Sequence, residues 1–71
     1  MAMQIKLETG GSMWKMLVKQ GDQVTAGQEL FIMEVMKMEV PYEAPADGRI
    51  AAVHIAEGDV VEEGQLALEI D

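Results

Sequence analysis

Gly21-Asp22-Gln23-Val24-Thr25-Ala26-Gly27-Gln28 recurs as Gly58-Asp59-Val60-Val61-Glu62-Glu63-Gly64-Gln65, with Gly-Asp, Val and Gly-Gln held in place. The two copies lie 37 positions apart, and Gly11 stands at the same offset from Gly48. Between these anchors the apolar residues match in turn: Met13 with Ile50, Met16 with Val53, Val18 with Ile55. Beyond Gln28 the match is read with a slip of one, Leu30 and Ile32 against Leu66 and Leu68. Self-similarity at a fixed period means a repeated structural unit. Each unit reads as short strands divided by glycine turns, because apolar residues alternate at Leu30/Ile32 and at Leu66/Leu68/Ile70. The i, i+3, i+5 spacing of Met13/Met16/Val18 fits neither a plain strand nor a helix. One inserted residue, a β-bulge, restores the alternation in both copies.

The expected fold is therefore all-β: two similar halves suggest two sheets related by a pseudo-twofold axis, packed as a small sandwich or a flattened barrel, a single domain over residues 1–71. Gly21-Asp22 and Gly58-Asp59 are predicted as tight turns. Gly27 and Gly64 are expected to open the following strands, where a corner needs positive φ. Ala44-Pro45-Ala46-Asp47-Gly48 reads as the link between the halves.

Composition narrows the function. Seventy-one residues with no cysteine exclude disulfides and thiolate zinc sites, and the single His54 leaves no histidine cluster. Thirteen acidic against five basic residues, a net charge of −8, argue against nucleic acid as a partner. No apolar run approaches the roughly 20 residues that span a bilayer, and no secretory signal is readable, so a cytoplasmic location is expected. A nucleophile, a base and an orienting group need a pocket to converge in. A chain of this size suits a carrier or binding module better than an autonomous enzyme.

The centre of the chain is Glu34-Val35-Met36-Lys37-Met38-Glu39-Val40. Strands ending near Val35 and starting at Met38 leave Met36-Lys37 as a two-residue hairpin turn. Such turns favour Asn-Gly or Asp-Gly, since both residues take φ > 0. A local rule broken in an otherwise consistent sequence points to a functional position. It leaves one lysine at an exposed tip. Lysine on a strand also serves to block edge pairing, and methionines also fill cores. An amine on a rigid tip, however, is what covalent attachment of a swinging cofactor needs.

These residues bring a family into view. Glu34-Val35-Met36-Lys37-Met38 resembles the Glu-Ala-Met-Lys-Met signature of biotinyl domains of the biotin carboxyl carrier type, within the biotinyl/lipoyl attachment family. Ala44-Pro45-Ala46-Asp47-Gly48 resembles that family's Ala-Pro-x-x-Gly element, and both Gly-Asp-x-Val-x-x-Gly segments match as well. Val35 stands where Ala or Ser is usual, and Glu8-Thr9-Gly10-Gly11 where the first half often has Ala-Pro-x-x-Gly. No extra residues separate the second and fifth strands, so the protruding thumb of some bacterial carriers is not expected.

The resemblance implies a flattened eight-stranded β-sandwich of two quasi-twofold-related halves with the modified lysine on a β-hairpin turn, and biotin joined covalently to Lys37 by a biotin protein ligase. The chain would then carry a carboxyl group from a biotin carboxylase to a carboxyltransferase, as a free-standing carrier or as a domain of a larger carboxylase. Met36 and Met38 are expected to serve recognition or to pack the turn. Glu34 and Val35 are counted in the same cofactor-attachment site; Glu34 and Glu39, flanking the tip, are read either as guides for docking or, more simply, as solvated strand residues. His54 is read as a strand surface residue and Trp14 as a core or rim aromatic. A lipoyl carrier of a 2-oxo acid dehydrogenase complex, bearing lipoate, shares the fold but typically has Asp-Lys-Ala at the hairpin. An unmodified lipoyl-like interaction module is the structural alternative.

Overall fold

The computed structural model describes residues 3–71. Its strands are β1 (Met3–Lys6), β2 (Gly11–Met16), β3 (Gln23–Val24), β4 (Glu29–Val35), β5 (Met38–Glu43), β6 (Gly48–Val53), β7 (Val60–Val61) and β8 (Leu66–Ile70). They make two four-stranded sheets, β1-β8-β6-β3 (the first sheet) and β5-β4-β2-β7 (the second). Every pairing is antiparallel. Among the described residues no helix is long and apolar enough to cross a membrane.

The offset of 37 organises the whole architecture. It carries β1 into β5, β2 onto β6, β3 onto β7 and β4 onto β8, and so exchanges the two sheets. A sheet is nevertheless not a half. Each sheet takes two strands from the first repeat and two from the second, because an isolated pair of short strands cannot bury an apolar face by itself.

The buried residues obey the same offset without a slip. Leu7/Ala44, Met13/Ile50, Val18/Ile55, Val24/Val61, Leu30/Ala67, Phe31/Leu68 and Met33/Ile70 account for every buried hydrophobic residue described. This corrects the slipped match of Leu30 and Ile32 to Leu66 and Leu68, and with it the reading of simple alternation. Leu30 and Phe31 are both buried while Ile32 is only half-buried. The cause is a register shift between Glu29 and Phe31 where β4 meets β5, which turns two consecutive side chains inward. Hydrophobicity alone pairs Leu30 with Leu66. Burial pairs it with the smaller Ala67.

The predicted bulges are present at equivalent places. The β2–β4 register shifts between Met13 and Lys15, and the β6–β8 register between Ile50 and Ala52, with Trp14 and Ala51 as the extra residues. Met13 stays in the core, Trp14 and Lys15 both face solvent, and Met16 turns back inward.

The repeated Gly-Asp and Gly-Gln dipeptides have a shared purpose. The Asp22 amide donates to the Lys19 carbonyl (3.1 Å), Gly21 takes φ 96°, and the Asp22 carboxylate accepts from the Lys19 amide (3.0 Å). Ala56, Gly58 and Asp59 repeat this with the corresponding bonds at 3.1 and 2.9 Å. Gln28 and Gln65 close their turns in the same manner, each side-chain carbonyl accepting from the backbone three residues earlier. Glycine supplies the left-handed backbone, and the following polar side chain satisfies the amide that the turn exposes.

Candidate functional site

β4 and β5 form a hairpin with Met33 opposite Val40, Glu34 opposite Glu39 and Val35 opposite Met38. Only Met36 and Lys37 remain for the turn, and both take positive φ, 51° and 66°. No other non-glycine residue described does so. This is the two-residue type I′ geometry, whose twist matches that of the flanking strands. The pairing on both sides thus imposes a left-handed backbone on two residues that disfavour it.

The tip is exposed and its base is anchored. Met36 is 91% exposed and Met38 67%, and Lys37 is exposed between them. Met36 therefore does not pack the turn onto the sandwich. Val35 is half-buried against the core, one step beyond the fully buried Met33. Lower down, Phe31 and Tyr42 face each other across the hairpin with ring centroids 4.7 Å apart. The Tyr42 hydroxyl accepts a hydrogen bond from the Glu8 amide at 2.9 Å. The sequence alone does not single out Tyr42. Its part in holding the hairpin follows from a partner 34 residues away.

Glu34 and Glu39 sit opposite each other on solvent-exposed strand positions, as expected of solvated residues. Trp14 is a surface aromatic, 43% exposed, with the Lys15 ammonium 5.2 Å from its ring centroid. His54 lies just past β6 on the surface, its Nε2 2.9 Å from a Glu69 carboxylate oxygen. Among the described residues no polar side chain is buried, no surface pocket is formed, and no three His, Asp or Glu side chains gather as for a metal ion.

A family model described as biotin-requiring enzyme matches residues 1–70. The chain belongs to the biotin/lipoyl attachment family. This attachment domain is 44% identical over 68 residues to the biotin/lipoyl attachment protein of Bacillus subtilis, covering 96% of the chain and 93% of that relative. It superimposes on the urea carboxylase of Kluyveromyces lactis with a TM-score of 0.92 at 34% identity, covering all of this chain and 6% of that one. It also superimposes on the lipoyl domain of the 2-oxoglutarate dehydrogenase complex of Azotobacter vinelandii, with a TM-score of 0.85 at 27% identity, covering 96% and 94%. The attachment domain is thus nearly coextensive with its small relatives and a minor part of the carboxylase. The all-β fold of two four-stranded sheets is the one expected from the sequence.

Proposed function

We propose that Lys37 is the attachment residue, its Nζ attacking the activated carboxyl carbon of biotinyl-adenylate in a biotin protein ligase, so that the amide forms as the bond to phosphate breaks and AMP leaves. The observation that carries this reading is the Met36-Lys37 turn, where a glycine-type backbone position holds an exposed lysine instead. The described surface suits a covalently held group. It has no pocket to enclose a ligand, whereas an exposed primary amine supplies the one bond that tethering needs. When bound, biotin supplies a ring nitrogen that accepts and releases a carboxyl group; that chemistry is the cofactor's.

The chain's own residues do the rest. Lys37 gives up a proton and presents Nζ as the nucleophile. The paired strands, with Val35 packed against the core, hold the tip at a fixed distance from the sandwich. Met36 and Met38 offer the enzymes that meet Lys37 a pliable apolar collar, with Glu34 and Glu39 behind it. In this reading the domain, over residues 1–71, is not itself an enzyme. It is the biotin carboxyl carrier that serves a biotin carboxylase and a carboxyltransferase in the cytoplasm, raising the effective concentration of the tethered group at each.

The likeness to a lipoyl domain favours a second reading, lipoate on the same lysine. Met-Lys-Met at positions 36–38 favours biotin. Co-expression with biotin protein ligase, followed by intact mass measurement and avidin binding, decides. A mass gain matching biotin is expected, and Lys37→Arg should abolish it. An unmodified wild-type chain under those conditions would overturn the proposal, and a lipoyl mass with lipoate ligase would establish the alternative.

A further inference from the structure

The repeat supplies an internal control for what the fold requires of each surface position. Trp14, Leu17, Ile32, Pro41 and Val60 lie on the outer face of the second sheet. Their counterparts at the offset of 37, on the outer face of the first sheet, are Ala51, His54, Glu69, Gln4 and Gln23. Core pairs keep their apolar character across the repeat, whereas four of these outer pairs change from apolar to polar and Trp14 gives way to the small Ala51. On the first sheet the face is polar or small, and His54 and Glu69 are joined at 2.9 Å. On the second, Trp14, Leu17 and Val60 stand 43%, 47% and 83% exposed, and the exposed Lys15, paired opposite Ile32, holds its ammonium 5.2 Å from the Trp14 ring centroid. The same backbone folds with polar or small residues at these places, so folding does not call for the large apolar ones.

Two further facts say what covers this face. First, it is continuous with the strands that carry Lys37: Ile32 and Glu34 belong to β4, Glu39 and Pro41 to β5. Second, its border is acidic, and the acids are arranged against stability. Glu34 faces Glu39 and Glu29 faces Glu43 across the hairpin, and like charges directly opposite are destabilising. A second copy of a chain with net charge −8 would bring two such borders together, so self-association is disfavoured. The complement is a protein surface whose apolar centre offers an acidic group to Lys15 and is ringed by Lys and Arg.

We propose that this face is where the biotin protein ligase grips the chain. The inference rests on Lys37 being the biotinylated residue. A partner that acts on the far end of a tethered group reaches it across the tether. The ligase alone must bring its reacting atoms to Nζ itself, within one lysine side chain of the turn. A specific contact buries about 800 Å² on each partner, more than a two-residue tip offers, so it spreads onto the adjoining sheet. Tryptophan is a residue type that dominates such contacts.

The test exchanges residues within the fold. Trp14→Ala, Leu17→His and Val60→Gln install what the first sheet already tolerates, singly and together, in the full unmodified chain. Biotinylation is followed with purified ligase, biotin and ATP. KM for the triple variant is expected to rise roughly tenfold or more with kcat little changed, and wild-type KM to rise with salt. Gln4→Ala and Gln23→Ala, on the opposite face, should change neither. If the triple variant misfolds, Val60→Gln alone, at the most exposed position, is the variant read. Unchanged KM in a folded variant would overturn the assignment. So would an effect confined to later carboxylation. A wild-type chain that takes no biotin would instead defeat the Lys37 reading, and this one with it.

Discussion

Met36 and Lys37 share the left-handed backbone region with only four glycines among the described residues, Gly21, Gly27, Gly58 and Gly64. Those glycines bear it without steric cost. A side chain there costs roughly 1–2 kcal/mol, and neither residue is repaid by burial, since both are exposed. Met36→Asn should therefore stabilise the fold by about 1 kcal/mol, read as a higher urea midpoint at unchanged slope. The same variant tests the collar, since it removes an apolar side chain beside Lys37 while relaxing the turn. The position of Lys37 in the turn was legible from strand spacing alone. That Met36 stands free was not, because a methionine in an apolar run reads equally as core or surface. Its exposure follows from the turn lying beyond Val35, the last residue of β4 that packs against the core.

At the scale of the elements, the hairpin depends on Phe31, fully buried, stacked on Tyr42 and followed by Met33. Phe31→Ala should cost about 3–5 kcal/mol. A 71-residue domain has on the order of 4–11 kcal/mol in all, so thermal melting of this variant should be strongly lowered and lose much of its cooperativity. The glycines divide into two kinds. A Cβ on Gly27 would meet nothing but would force a side chain to φ 87°, whereas a Cβ on Gly11 would lie 2.6 Å from the Glu34 carbonyl oxygen. Gly11→Ala should thus separate β2 from β4 and destabilise by about 1–3 kcal/mol. Far-UV and near-UV spectra would show the change reaching the hairpin. The two bulges were readable as a broken period in both repeats. The irregularity between Glu29 and Phe31, repeated in β8 where Leu66 and Leu68 pair with Lys6 and Ile5, was hidden because Leu-Phe-Ile-Met is apolar throughout and no polar residue marks which side chain turns outward.

The whole molecule is built from interleaved halves, since β1 and β3 are closed into a sheet by β6 and β8, and β2 and β4 by β5 and β7. Fragments 1–36 and 37–71 should each lack a cooperative melt when separate. Mixing them should restore β-sheet circular dichroism; a stable isolated half would contradict the interleaved core. The sequence by itself determined the repeat, its offset, the all-β class, the turn glycines and the lysine at the central tip. Each of these is set by local backbone chemistry or by spacing along the chain. Only the tertiary structure decided that Leu30 answers Ala67, that sheets and halves differ, and that Trp14, Leu17 and Val60 share a solvent-facing side. Those depend on which strand lies next to which. Such pairing is settled by burying fourteen side chains from both repeats together, a constraint carried by the assembled core and by no single stretch of the chain.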